Sequence, residues 1–251
     1  MKPVDYPIWF KIFVVVTVML FGLNVAYFAA PIHALLKHAT QYISGDRIVI
    51  AVGTVAASFA GASFAFAFAW YQTRRERITT EVASGNRALF TLSCMWNVIK
   101  QRQKDFIEPA RSKSDAWLNF HLGPPLIDNY SFDMKGLSFL LETAGSTFQR
   151  LFLEEERYRL LVHLVAEHRK LLLEGAWPRM EAAGVSLKDS RLESEMEKII
   201  GVNIVVQLKS TVSAIITNFD EDEKSVKEAF IRLQEALKRI YPNRAFMKFT
   251  F

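Results

Sequence analysis

Side chains with the chemistry of a catalytic or metal-binding site are few in this sequence, and their spacing suits neither task. His163 and Glu167 share one face of a predicted helix, but the five-residue spacing displaces His168 from His163. Cys94 has Ser93 beside it and no histidine nearby in sequence, which favours a structural thiol over a nucleophile. No Gly-rich phosphate loop, GxSxG, HExxH or CxxC motif is present. The sequence therefore predicts no catalytic residue, no metal site, no cofactor and no enzymatic activity.

The most distinctive spacing belongs to small residues within the apolar stretch 48–71. No charged residue lies between Arg47 and Arg74. Small residues recur at every fourth position: Gly53, Ala57, Gly61, Ala65 and Ala69. Such patterns let transmembrane helices approach closely. We predict a membrane helix that packs on a partner helix, either within the same chain or in a second copy; the alternative is that Ala and Gly only fill the span.

Two segments of the N-terminal region are long enough to cross a bilayer. The first transmembrane helix is predicted at about 8–36 and the second at about 48–71, joined by a short polar connection at 37–47. Asn24 lies past the middle of the first helix. It is interpreted either as an interhelical or pore-facing polar group, or as a polar residue tolerated near the headgroups.

Charges at the ends of the spans predict the orientation. Arg74, Arg75 and Arg77 directly follow the second helix and outweigh Lys37 and Arg47 in the connection. Because positive charge near spans stays on the cytoplasmic side, both termini are predicted to be cytoplasmic. The three arginines are also expected to face anionic lipid headgroups. The sequence thus predicts a multi-pass membrane protein.

Composition excludes some partners of the soluble part. Of the 31 Lys and Arg and the 26 Asp and Glu of the chain, residues 72–251 hold 27 and 24, which is too balanced to indicate a nucleic-acid-binding domain from charge alone. A single cysteine excludes an intrachain disulfide framework. Lys113, Trp117 and Phe120 combine charge and aromatic rings that could stack a base, although the same residues suffice for core packing.

Residues 72–251 are predicted to form an all-helical cytosolic domain. A heptad pattern of mostly apolar residues, with Gly85 and Gln103 as weak points, runs through Ile78, Val82, Gly85, Leu89, Leu92, Trp96, Ile99, Gln103 and Phe106. This pattern predicts a helix that stops before Pro109. An uninterrupted helix would join the second membrane helix as one stalk, whereas Ser84 and Gly85 could interrupt it.

The rest of the chain has one irregular segment, 109–135, which is apolar enough to wrap the helical core. Glu154–Glu156 are expected to be solvated. The tail 244–251 alternates apolar residues and is expected to pair as a strand or to dock on the bundle. Further helices are predicted at about 146–173, 189–219 and 225–240, with Asp220–Glu223 starting the last one.

The layout resembles known bacterial membrane proteins. The stretch NRALFTLSCMWNVIKQRQKDFIEPAR, then Trp117, then FDMKGLSFLLE, look like those of bacterial two-helix membrane proteins with a helical cytosolic domain. The architecture is also similar to the two-transmembrane effectors of anti-phage systems, including those encoded with retrons. That resemblance implies an inner-membrane effector held inactive by a partner, such as a reverse transcriptase with its DNA product, and toxic to the membrane on release.

Two hypotheses follow from these observations. In the first, the chain is a non-enzymatic membrane effector whose helices assemble as a homo-oligomer through the small-residue pattern. In the second, it is a membrane-anchored scaffold or sensor whose hairpin only tethers a partner-binding helical domain. The small residues and Asn24 favour the first hypothesis.

Overall fold

A computed structural model describes residues 45–113, 115–120, 123–126, 130–186 and 193–249, with the backbone alone described for 45–49, 51, 52 and 119. Every regular element in these ranges is helical, which confirms the all-α prediction. The predicted first transmembrane helix, its connection and Asn24 lie outside the described residues. Of the predicted hairpin, therefore, only the second helix is described.

The elements, in chain order, include two short π-helices. They are α1 (Gly45–Arg102), π1 (Gln103–Ile107), α2 (Glu108–Arg111), α3 (Ala116–Asn119), α4 (Leu140–Lys170), π2 (Leu171–Ala176), α5 (Trp177–Ala182), α6 (Glu193–Ile200) and α7 (Val202–Ile240). Helix α1 contains the predicted membrane helix and the heptad positions up to Ile99 without interruption at Ser84 and Gly85, whereas Gln103 and Phe106 lie in π1. The chain divides into two compact units, Met1–Thr73 and Arg74–Phe251; the second is called the helical unit.

Within the helical unit, α1 and α7 run antiparallel. Tyr241 contacts Glu81 near one end, and Lys100 Nζ donates to Glu223 Oε1 at 2.8 Å near the other. Residue numbers therefore rise along one helix as they fall along its partner. Burial and the hydrogen bond donated to Glu81 raise the pKa of the Tyr241 hydroxyl above its ordinary value.

Helices α4 and α7 are also antiparallel, because Arg150 lies 3.6 Å from Glu228 whereas Arg157 contacts Ser225. Helices α1 and α4 consequently run in the same direction, so the chain between them must return along the bundle. This requirement explains the irregular segment that the sequence predicts at 109–135.

The described parts of the return segment contact α4 in reverse order. The ring of Phe120 lies 5.5 Å from that of His168, and the Phe132 amide donates to Glu155 Oε2 at 2.9 Å. Trp117, Phe120 and Leu126 of this segment are buried, so these residues pack against the helices.

Two apolar clusters stabilise the helical unit. The larger joins α1, α4, α7 and the return segment through fully buried residues such as Leu89, Leu151 and Leu233. The smaller joins π2, α5, α6 and the start of α7 around Leu172 and Leu208. The two clusters are distinct groups of buried residues within the same unit.

The predicted helix end before Pro109 is wrong. Pro109 and Pro178 each occupy the second position of a helix that directly follows a π-helix. Proline has no backbone N–H and is tolerated in a first helical turn, so the chain stays helical to Arg111 and to Ala182. The widened π-turn interrupts the ordinary hydrogen-bond pattern directly before each proline.

The predicted break at Asp220–Glu223 is also wrong, because α7 is continuous there. The break lies at Gly201, where φ is +95°, between α6 and α7. The tail docks rather than forming a strand in the described residues. Met247 accepts from Gln234 Nε2 at 2.7 Å, and the ring of Phe249 lies 5.5 Å from that of Trp96.

Candidate membrane-packing site

The first part of α1 presents large apolar side chains to its surroundings. Exposed residues there are Ile50, Val55, Phe59, Phe64, Phe66, Phe68 and Trp70, with Phe66 reaching 76% exposure. The helical run Gly53–Arg111 includes a stretch long and apolar enough to cross a membrane, and none of that stretch is buried. Exposed apolar surface of this extent on one helix is typical of a lipid or protein contact.

Helices α6 and α7 meet the same length and composition criterion only if they are taken together as one broken span. They bend by 117° at their break. Ile200, Val205 and Leu208 on either side of that break are buried inside the helical unit. The apolar residues of α6 and α7 are therefore explained by packing in the core of the helical unit.

The five small residues of the predicted packing pattern, Gly53, Ala57, Gly61, Ala65 and Ala69, are all exposed, and they form an inclined ridge along α1. An α-helix turns by about 100° per residue, so a four-residue repeat moves about 40° around the axis at each step. The ridge follows the i±4n row, which is the row that right-handed transmembrane crossings of about −40° bring together. A partner helix crossing at that angle would meet Ala57, Gly61 and Ala65 at the centre, with Gly53 and Ala69 towards the edges.

Open space surrounds the two glycines of this ridge. A Cβ atom added at Gly53 or at Gly61 would meet no heavy atom within 4 Å. Glycine is a poor helix former in water, with a cost of about 1 kcal/mol relative to alanine. Neither glycine is required by a contact with described residues, so their absence of side chains leaves the ridge free for another backbone to approach.

Two hydroxyls within the apolar part of α1 donate hydrogen bonds to the helix itself. Thr54 Oγ1 donates to the Ile50 carbonyl and Ser58 Oγ donates to the Thr54 carbonyl, both at 2.8 Å. Hydroxyls bonded to the preceding turn do not need water. These contacts suit a helix surrounded by hydrocarbon.

The predicted headgroup-facing arginines follow the apolar stretch along α1, and all three are exposed. Arg77 Nε donates to Glu81 Oε1 at 2.8 Å, and Glu81 also accepts from Tyr241. Arg77 therefore anchors the start of the helical unit to the end of α7 through one carboxylate. Arg74 and Arg75 carry the remaining positive charge of the cluster.

The residues that the sequence offers as possible catalytic or metal-binding groups do not lie together in one site. His168 is buried against Phe120, whereas His163 is exposed and Cys94 is half-buried. Among the described residues, no three His, Cys, Asp or Glu side chains are grouped to hold a metal ion. Trp117 and Phe120 are buried, which favours the core-packing interpretation of these rings over base stacking.

Sequence reasoning missed a buried ionic layer between α4 and α7. Glu154 and Glu155 were predicted to be solvated, but they are 0% and 8% exposed. Glu154 Oε1 accepts from Arg150 Nε at 2.7 Å and from Ser225 Oγ at 2.5 Å. Asp222, one turn before Ser225 on α7, is 3% exposed. The partners are distant in sequence, so only the weak signal of polar residues at apolar heptad-like positions of α7 could have indicated the layer.

Comparison of the chain with protein-family models, with curated proteins and with solved structures finds no match. The resemblance to two-helix membrane effectors therefore stays an expectation from the sequence.

Proposed function

We propose that this protein is a non-enzymatic effector of a bacterial anti-phage system, which perturbs the inner membrane when it is released from an inhibitory partner. The observation that carries the proposal is the small-residue ridge of α1, which is exposed, centred on Gly61 and bordered by exposed phenylalanines. Close packing along such a ridge is how lipid-embedded helices associate. The active state is a homo-oligomer whose α1 helices cross at the ridge.

The helical unit is the regulated part in this proposal. Arg74–Phe251 has its own apolar core and includes the tail, so it offers a folded surface for a partner. Arg74, Arg75 and Arg77 hold this unit on the cytoplasmic side, next to anionic headgroups. A protein partner, for which the resemblance suggests a reverse transcriptase with its DNA product, keeps the membrane segments from assembling until infection removes it.

Expression of the full chain alone in bacteria tests the proposal. We expect propidium iodide entry and loss of membrane potential, both suppressed when the neighbouring genes are co-expressed. Replacing residues 1–71 with an unrelated two-helix anchor should abolish the damage while leaving the expression level unchanged. Intact membranes in every strain, including after challenge with phage, would contradict the effector function.

A scaffold or sensor function is the second candidate, favoured by the helical unit being compact in its own right. In that case the hairpin only tethers, and the unrelated anchor restores function in full. The two candidates thus predict opposite outcomes for the same anchor replacement. Pull-down of a genomic neighbour by both the native and the re-anchored chain, without membrane damage, would establish the scaffold.

A further inference from the structure

The centre of the contact between α4 and α7 holds two buried acids, Glu154 and Asp222, which we call the buried acid pair. The nearby arginine side chains form ion pairs with one carboxylate oxygen of Glu154, Oε1. Arg150 Nε donates to its Oε1 at 2.7 Å, and Arg157 Nη1 lies 3.9 Å from the same oxygen. Ser225 accepts hydrogen bonds from both arginines and donates to that oxygen as well. The Oε1 side is therefore fully occupied.

One oxygen of each acid has no such partner. Glu154 Oε2 and Asp222 Oδ2 are both buried, and neither has a hydrogen-bond partner among the described residues. Burying an ionised carboxylate oxygen without a partner is costly, and two like charges side by side add repulsion. A metal ion would need further ligands, and the described residues supply no third acid, histidine or cysteine for one. A proton is the ligand that fits.

We infer that the buried acid pair is a proton-binding site, in which Asp222 exchanges a proton near neutral pH and loss of that proton weakens the contact between α4 and α7. Protonation removes one of the two facing negative charges and turns an acceptor-only group into a donor. This proton site belongs to the helical unit, so it exists whether or not the chain damages membranes.

The electrostatic surroundings of Asp222 agree with this assignment. Burial first, and then the charge of Glu154, raise the pKa of Asp222 to about 7, with Glu221 adding to the rise and Arg157 opposing it. From α1, the charged side chain reaching this part of α7 is Lys100, which is bound to Glu223. A pKa near 7 places the proton where modest changes of cytosolic pH alter its occupancy.

The sign of the pH dependence follows from linkage. Since the pKa is raised on folding from an ordinary value of about 3.9, the native state binds more protons than the unfolded state between about pH 4 and pH 7. Stability due to the protonated form is present at low pH and is lost as pH rises through 7. The unfolding equilibrium constant should rise by up to about tenfold per pH unit in that window.

Unfolding of the full chain in detergent micelles, followed by circular dichroism from pH 5 to pH 9, tests the site. We compare the native chain with Asp222→Asn and with Glu235→Gln, which changes an exposed acid on the same helix. Asp222→Asn should abolish the extra pH dependence between 5 and 7, and Glu235→Gln should keep it. The three proteins differ only at positions 222 and 235, so the difference between their curves isolates Asp222.

Glu154→Gln provides the second variant, for the case in which Asp222→Asn does not fold. Without the facing charge, Asp222 should ionise more easily, and the pH at which stability is lost should move to lower values. Parallel curves for Asp222→Asn and the native chain would overturn the proton site. An unmoved transition in Glu154→Gln would overturn it equally.

Discussion

At position 201 the backbone conformation limits which amino acids fit, and the chain has glycine there. Its φ of +95° at the junction of α6 and α7 is a backbone conformation that residues other than glycine rarely adopt. The guanidinium of Arg179 lies 3.1 Å from the position of an added Cβ and donates to the Ile200 carbonyl. The sharp turn between α6 and α7 therefore depends on this glycine and on one arginine that satisfies the end of α6.

Gly201→Ala should lower the free energy of unfolding by roughly 1–2 kcal/mol, because alanine is strained at this φ. Gly145→Ala is the matched control, since an added Cβ there meets nothing within 4 Å. The control should be neutral or stabilising by up to about 1 kcal/mol. Denaturant unfolding of both variants measures the difference, and equal effects would contradict the role given to the turn.

Arg150→Met should destabilise the helical unit by roughly 3 kcal/mol. The change removes the closest positive partner of Glu154, which is fully buried, and leaves it Arg157 at 3.9 Å; weakening the pairing of a buried charge is far more costly than losing a surface pair. Lys100→Met is the control, because Lys100 is about half exposed where it pairs with Glu223 and should cost less than about 1 kcal/mol. Chemical denaturation compares the two; losses of similar size would argue against a buried ionic layer.

At the scale of elements, α1 packs closely on α7 at Gly85, because glycine has no side chain there to keep the two helices apart. A Cβ atom added at Gly85 would lie 2.7 Å from a terminal methyl of Leu237, which is itself fully buried. Ser84 and Gly85 therefore do not interrupt the helix. They allow α7 to approach it closely, at a point where the heptad pattern of the sequence looks weak.

Gly85→Val should destabilise the helical unit by about 1–3 kcal/mol through overpacking against Leu237. Ala83→Val, on the exposed side of the same helix, should have a small effect. Combining Gly85→Val with Leu237→Ala should cost less than the sum of the two single changes, because the smaller partner makes room. Thermal unfolding of the four variants measures this coupling; strict additivity would contradict the close contact.

Sequence patterns correctly predict those helices that are determined by residues close together in the sequence. The charge-free stretch 48–71 and the heptad residues from Leu89 to Ile99 fall within α1 as expected. The helix ends at Pro109 and Asp220 were wrong, because a π-turn and a continuous buried face decide them. Glu154 was misassigned for a related reason. Its partner Ser225 lies far along the chain, and nothing near Glu154 in sequence indicates burial.

At the scale of the whole molecule, the helical unit has the contacts of an independent fold. Its long helices share one apolar cluster, and the tail closes it through Phe246 and Phe249. A fragment covering 72–251 should therefore be soluble and helical and should unfold in one cooperative transition. Circular dichroism during heating checks this expectation. A fragment that stays aggregated or unfolds without cooperativity would show that the membrane segments are needed for folding.

The small-residue ridge of α1 is tested most directly by a matched pair of substitutions read out as membrane potential. Ala57→Leu adds bulk on the ridge, whereas Ala62→Leu makes the same change about 100° away from Gly61. Both residues are exposed, so neither change disturbs the helical unit.

The proposed effector function predicts that cells expressing Ala57→Leu, or Gly61→Leu, keep their membrane potential, while cells expressing the native chain or Ala62→Leu at equal levels lose it. Depolarisation that is the same for all of these chains would contradict packing through the ridge.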